Sequence, residues 1–263
     1  MAGQKSTTDT FAGTIKSLAI SSNDGGKQAE LAGKNIISFT YMESLMNDSV
    51  TATITYTDTG ITKDGTKNVL EDLPIVGTEK VSCSFSDVQG ESISIDLYVN
   101  NVNPVLEDTR KEVVILNLKS KEFILNEKVR LRKRYDGKIS DHVNMILTDT
   151  VGEGLGTDKN IEVEETANNY NFIGNNLKSF YTINWLSKKA ISSKSQEKGK
   201  SAGYFFYETS EGFFFKSIDG LLEQEPKRSI IYNESTNGGN HIPPRYDYQA
   251  LRYAKDNLVD AQN

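Results

Sequence analysis

Ser49-Val50-Thr51-Ala52-Thr53-Ile54-Thr55-Tyr56-Thr57 alternates without a break between apolar-leaning and hydroxyl side chains. Successive side chains on an extended strand point to opposite faces. The run therefore predicts a strand with one face packed on a core and one wetter face. The same period recurs downstream. Val81, Cys83 and Phe85 alternate with Ser82, Ser84 and Ser86, and Ile93, Ile95, Leu97 and Val99 alternate with Ser92, Ser94, Asp96 and Tyr98. Asp87-Val88-Gln89-Gly90 lies between these runs and suits a tight reversal, so the two form a hairpin. Residues 14–20, 36–41 and 113–118 read as three further strands. Short antiparallel strands joined by turns predict a barrel or sandwich over the first 118 residues.

The outward faces of these strands carry many Ser and Thr, among them Thr51, Thr53, Thr55, Ser82, Ser84 and Ser94, together with Tyr98. Such a face is either simply solvated or abuts a neighbouring subunit or channel. The sequence leaves both open.

Composition narrows the function. The 263 residues are 37% hydrophobic and 25% charged, with a net charge of −6. That profile fits a globular chain with a real core. A general nucleic-acid binder draws its affinity from clustered Lys and Arg, which this balance disfavours. The single cysteine, Cys83, allows no intramolecular disulfide and sits on the Val81 and Phe85 side of its strand, where it reads as a small core residue. Residues 1–10 form a short polar lead with no apolar stretch resembling a signal peptide, and no window approaches the roughly 18 apolar residues of a spanning helix.

After Leu118 the pattern changes. Residues 122–135 carry Phe123, Leu125, Val129 and Leu131 amid the basic cluster Lys128, Arg130, Arg132, Lys133 and Arg134. Arg130, Arg132 and Arg134 are candidates for partner contact, against the plainer reading of a solvated face. Ser140 is expected to cap a helix whose buried stripe is Val143, Ile146 and Leu147, with His142 exposed in its first turn. Neither His142 nor His241 has a partner at metal-ligand spacing. Gly152-Glu153-Gly154-Leu155-Gly156 lacks the strand, helix and Lys-Ser/Thr of a phosphate loop and reads as a plain loop.

Residues 175–191 read as a second helix, with Leu177, Phe180, Tyr181, Trp185 and Leu186 along one broad side and Trp185 as a core anchor. A lysine-rich polar loop, residues 188–200, follows. Gly203-Tyr204-Phe205-Phe206-Tyr207 and Gly212-Phe213-Phe214-Phe215 then flank the polar turn Glu208-Thr209-Ser210-Glu211. Both faces of that hairpin are aromatic, so it is expected to be covered on each side, by a helix on one. Ser229-Ile230-Ile231-Tyr232 reads as a further strand, and residues 245–259 as a helix or docked strand.

The order of these pieces resembles one known family. Asn169-Tyr170-Asn171-Phe172 precedes the helix bearing Trp185-Leu186; the lysine-rich loop, the aromatic hairpin, Ile218-Asp219-Gly220-Leu221-Leu222 and Glu225-Pro226 follow. Over most of residues 80–260 this arrangement is similar to the central baseplate hub protein of T-even and related contractile phages. The resemblance lies in order and spacing rather than in any single diagnostic motif. It implies an α+β, β-rich fold: an antiparallel β-barrel tube domain over residues 11–117, an inserted mixed α/β domain over 118–226, and a returning segment of the tube domain over 227–263. It implies a virion protein of the tail baseplate, assembled in the host cytoplasm. Its partners would be two further copies in a trimeric ring, the spike protein, the tail tube or its initiator, and wedge proteins. Viral DNA would pass through without being read. The family carries a second tube domain where this chain stops, so the chain is expected to be a fragment or a shorter relative.

The resemblance implies no catalytic residue, cofactor or metal. Two rivals differ in class. A glycan- or receptor-binding tail module would expose the aromatic hairpin as a stacking platform, whereas a hub would bury it. A wall hydrolase could draw on carboxylates such as Glu153, Glu164 and Glu165, but any acidic chain supplies such pairs, and no Gly-x-Ser-x-Gly nucleophile motif is present.

Overall fold

The computed structural model describes residues 14–31, 36–58, 73, 75–86, 92–108, 111–150, 153–194 and 203–223. All of these but Glu223 belong to the first of two compact units, Met1–Leu222. The turn at Asp87–Gly90, the glycine at 152, the end of the lysine-rich loop, His241 and the segment after Glu223 lie outside the described residues.

The alternating runs do form strands: β1 (Thr14–Ser21), β2 (Gln28–Glu30), β3 (Ile36–Met42), β4 (Thr51–Asp58), β5 (Lys80–Ser86), β6 (Ser92–Asp108) and β7 (Lys111–Lys119). They pair antiparallel in one sheet of order β2-β1-β5-β6-β7-β4-β3. The expected β5–β6 hairpin forms, with Val81 opposite Leu97, Cys83 opposite Ile95 and Phe85 opposite Ile93. β4 gives the cleanest alternation, Ala52, Ile54 and Tyr56 buried and the threonines between them half-buried.

The sheet is strongly curled. β3 and β5 are four strand spacings apart, about 19 Å across a flat sheet. Yet Phe39 and Tyr41 of β3 lie with their rings 5.1 and 5.2 Å from that of Phe85 on β5. The inner face therefore folds on itself around a core of Leu18, Ile20, Ile54, Tyr56, Val81, Leu97, Leu116 and Leu118. Cys83 belongs to this core, and burial pushes its thiol up to about 12.

A second core follows, built by α1 (Lys121–Lys128), β8 (Arg134–Tyr135), α2 (Ile139–Thr148), β9 (Ile161–Val163), β10 (Phe172–Ile173), α3 (Ser179–Ser187), β11 (Tyr204–Thr209), β12 (Gly212–Ser217) and α4 (Ile218–Leu222). The aromatic hairpin is β11–β12, extended to three strands by parallel pairing of β9 on β12. Phe206, Phe213 and Phe215 are buried, and Phe180 of α3 covers one face with its ring 5.4 Å from that of Phe206. Both strands are buried apart from Phe205, Thr209 and Lys216, which are half-buried, as a run aromatic on both faces requires.

Several details differ from the sequence reading. The hairpin turn has two residues, Ser210 and Glu211, because the ladder runs through Glu208 and Thr209 to Gly212. The helix expected over 175–191 is shorter: Asn175 and Asn176 both adopt left-handed backbone (φ 45° and 59°) in a turn closed by Leu177 N–H on Gly174 O, so α3 starts at Ser179. Leu177 and Tyr181 are consequently exposed rather than packed, and Trp185 is only half-buried, against Tyr170 and Phe172. Ser140 does not cap α2. The cap position is Lys138, and the buried Ser140 N–H donates to Thr166 Oγ1 instead. His142 is 1% exposed, not surface-facing. It extends the apolar stripe of α2 by one position, with Nε2 at 2.9 Å from Tyr170 O and its ring edge-on to Tyr135 and Phe172.

Candidate functional site

Among the described residues there is no cluster of three or more His, Cys, Asp or Glu placed to hold a metal. The glycine-rich stretch packs back on α2: Leu155 N–H donates to Ile146 O, and a Cβ on Gly154 would lie 2.7 Å from Asp149 O.

Two of the three carboxylates considered for hydrolysis, Glu164 and Glu165, have structural partners. Glu165 pairs with Lys138 at the surface. Glu164 accepts from Ser192 Oγ, Ser217 N–H and Ser217 Oγ at 2.5, 2.9 and 2.7 Å, tying β9 to the start of α4. Burial alone would raise the Glu164 carboxyl, but those hydrogen bonds overcome it and hold the group below the ordinary 4.5. Its stabilising contribution is then complete above 4.5 and is lost as pH falls through the lower folded value. The melting-temperature advantage of the native chain over Glu164→Gln should shrink between neutral pH and pH 3. A constant difference across that range would refute this assignment.

The most built polar site lies where the two cores meet. Glu208, inside β11, is fully buried. One oxygen accepts the Val50 N–H at the head of β4 (3.0 Å) and the other accepts Lys159 Nζ (2.5 Å). The same ammonium reaches Glu122 of α1 at 2.8 Å, and Glu122 accepts Thr157 Oγ1 at 2.7 Å. Beside this triad Lys119, the last residue of β7, donates to Ser49 Oγ and Thr51 Oγ1 and lies over the Phe123 ring. Asn184 of α3 donates to Asp48, and the hairpin tip donates through Ser210 N–H to Glu43 (2.6 Å).

The charges shape one another. Burial raises Glu208 despite Lys159, and raises Asp48. Burial would lower Lys159, but Glu208 and Glu122 outweigh it and hold the ammonium above its usual range. Lys119 is lowered by burial. A network of this kind fixes geometry more than it adds stability, because both partners must give up hydration. Here it locks the β11–β12 hairpin and α1 against the end of the curled sheet.

The sequence candidates fall on one face. By strand register Thr51, Thr53, Thr55, Ser82, Ser84, Ser94 and Tyr98 all lie opposite the core. Ser84 and Ser94 hydrogen-bond to each other, Ser82 donates to Asp96, and Thr53 to Asn117. Thr51 belongs to the joint, since Lys119 donates to it. A depression of about 270 Å³ on this face is lined by Ser17, Ser82, Cys83, Ser84, Ser94, Ile95 and Asp96.

Each candidate arginine has a local partner. Arg130 Nη1 donates to the Asn126, Glu127 and Val129 carbonyls at the end of α1, Arg132 donates to Asn176, and Arg134 pairs with Asp136.

Sequence reading missed Glu208, Lys159 and Glu122. A carboxylate directly after four aromatic residues was a usable signal for Glu208, had the strand been extended by two residues. Nothing local marks Lys159 or Glu122.

No protein-family model matches the chain, and no curated protein does. Among solved structures, the 43 kDa tail protein of prophage MuSo2 from Shewanella oneidensis is similar at 14% identity and TM-score 0.49, covering 76% of this chain and 54% of that one. The tail protein from Neisseria meningitidis MC58 aligns at 7% identity and TM-score 0.43, over 76% of this chain and 49% of that one. The E. coli c3393 protein, a component of the type VI secretion system described as structurally similar to T4 bacteriophage tail proteins, aligns at 11% and TM-score 0.38, over 78% and 46%. The chain spans about half the length of these proteins.

Proposed function

We propose that this chain is a structural tail protein, the central hub of a phage baseplate. Three copies close into a ring that joins the tail tube to the cell-puncturing spike and lets DNA through. The barrel is residues 11–117 with a return over 227–263, the inserted domain is 118–226, and the protein resides in the virion tail.

The observation that carries this reading is the open edge of the curled sheet. Among the described residues β3 ends the sheet, so its outer backbone groups have no strand neighbour. Ile37 and Met42 on it and Leu45 and Met46 just beyond are all exposed, Met46 by 79%. An unpaired edge carrying apolar side chains is an association surface unless covered, and pairing with a sister copy covers it. The hydroxyl-rich outward face, Thr53, Thr55, Ser82, Ser84 and Ser94 included, suits a subunit contact or a lumen that does not grip phosphate. The rigid joint between the cores suits a part that transmits force.

The glycan-binding alternative requires exposed aromatics, and every hairpin ring is buried but that of Phe205, which is half-buried. The hub reading also needs no catalytic group.

Light scattering on the purified chain should give a trimer, or a monomer that trimerises when the spike protein is added. A chain that stays monomeric with spike and tube proteins both present would sink the proposal.

A further inference from the structure

The basic segment holds a period that charge counting hides. Along Arg130-Leu131-Arg132-Lys133-Arg134-Tyr135, a ribbon bridged at Leu131 and paired as β8 at Arg134 and Tyr135, side chains alternate between the inner and the outer side. Leu131 and Tyr135 are buried, and Lys133 turns in to meet Asp149 at 2.5 Å. Arg132 and Arg134 are exposed and Arg130 half-exposed on the other side. The ribbon's partner is the segment through β10: Ile173 stands opposite Arg134, Leu177 is bridged to Leu131, and the Asn175-Asn176 turn closes the end.

Two properties of this outward face are unusual together. It is cationic in a chain of net charge −6. It also carries an apolar side chain: Ile173, directly opposite Arg134, is 59% exposed. Arg134's own partner does not consume it: the Arg134–Asp136 pair is 70% and 52% exposed, and exposed pairs of this kind are weak, so an incoming carboxylate can displace Asp136. An exposed Ile beside Arg suits a protein–protein contact. Phosphates would leave that apolar side chain unused.

We infer that this ribbon face, Arg130, Arg132, Arg134 and Ile173, docks an acidic, apolar-studded segment of another tail protein. The inference deepens the hub reading by giving one partner its chemistry: carboxylates spaced to meet the arginines, with an aliphatic side chain between them for Ile173.

The test uses the full chain and a fluorescein-labelled eight-residue peptide alternating Glu and Val, read by fluorescence anisotropy. Oligoglutamate and a short DNA duplex serve as competitors. The peptide should bind, weaken as salt is raised, and lose at least about tenfold in affinity in the exposed double variant Arg132→Glu/Arg134→Glu. Ile173→Ser should also weaken it while leaving oligoglutamate unaffected. Absence of peptide binding, unchanged affinity in the charge-swapped variant, or stronger competition by DNA than by oligoglutamate would each overturn the inference. So would an oligomer of the chain itself that the charge swap dissolves, since the occupant would then be a second copy. A trimer that fails to bind the peptide rejects this inference and leaves the hub reading standing. A monomer that binds it does the reverse.

Discussion

Replacing Lys159 by Met should cost the chain about 3–5 kcal/mol, the range for breaking a buried ion pair from one side. The ammonium is the single cation shared by Glu208 and Glu122, whose side chains are 0% and 4% exposed. Removing it leaves two carboxylates facing each other in a water-poor joint. Trp185, the only tryptophan, packs against Tyr170 and Phe172 in the second core and reports its unfolding, so the urea midpoint of its fluorescence should drop sharply. Glu208→Gln should cost far less. It keeps an acceptor for the Val50 N–H and removes one of the two charges competing for Lys159.

The pH dependence separates this account from simple loss of packing. Glu208 is raised by burial, so its contribution to stability is complete below 4.5 and is lost as pH rises through its higher folded value. Without Lys159 that ionisation becomes costlier still. The deficit of Lys159→Met relative to the native chain should therefore be large at neutral pH and narrow towards pH 4. A deficit under about 1 kcal/mol at neutral pH, or one independent of pH, would mean the triad does not hold the joint.

Gly212→Ala is expected to be nearly as damaging, for a different reason. Gly212 closes the aromatic hairpin at φ +139°, a backbone that L residues rarely adopt. A Cβ there would stand 2.2 Å from Asn160 O, the same carbonyl that accepts the Phe213 N–H in the β9–β12 pairing. The backbone strain and the lost hydrogen bond together amount to about 3 kcal/mol or more. Because Glu208 and Ser210 are placed by this turn, the substitution should also loosen their links to Val50 and Glu43. Thermal unfolding read at Trp185 should shift down while the curled sheet's far-ultraviolet signal persists to higher temperature. Coincident, unshifted transitions would contradict the packing described.

The strands of the first half were legible because one face of each is buried, and burial imposes a period of two that survives in any reading. Ser49–Thr57 carries that period with no exception, and β4 follows it residue by residue. The aromatic hairpin was legible for a related reason: Phe213-Phe214-Phe215 leaves no polar face, so both sides had to be covered. Helix limits were less legible. Asn175 and Asn176 can continue a helix or turn left-handed, and what selected the turn is the pairing of Leu131 with Leu177, 46 positions away. His142 was misplaced because its partner, the Tyr170 carbonyl, comes from a loop that no local pattern announces.

By itself, then, the sequence determined the local geometry: which segments extend, which faces are apolar, that Cys83 is core, and that the chain is β-rich before Leu118 and mixed after it. Only the tertiary structure decided the curl that brings Phe39 onto Phe85 and the meeting of Glu122, Lys159 and Glu208. It also decided the alternation that sends Arg132 and Arg134 outward. Periodicity records what each residue needs from its own strand or helix. Long-range pairing and shared charges depend on groups far apart in the chain, and those leave no period to read.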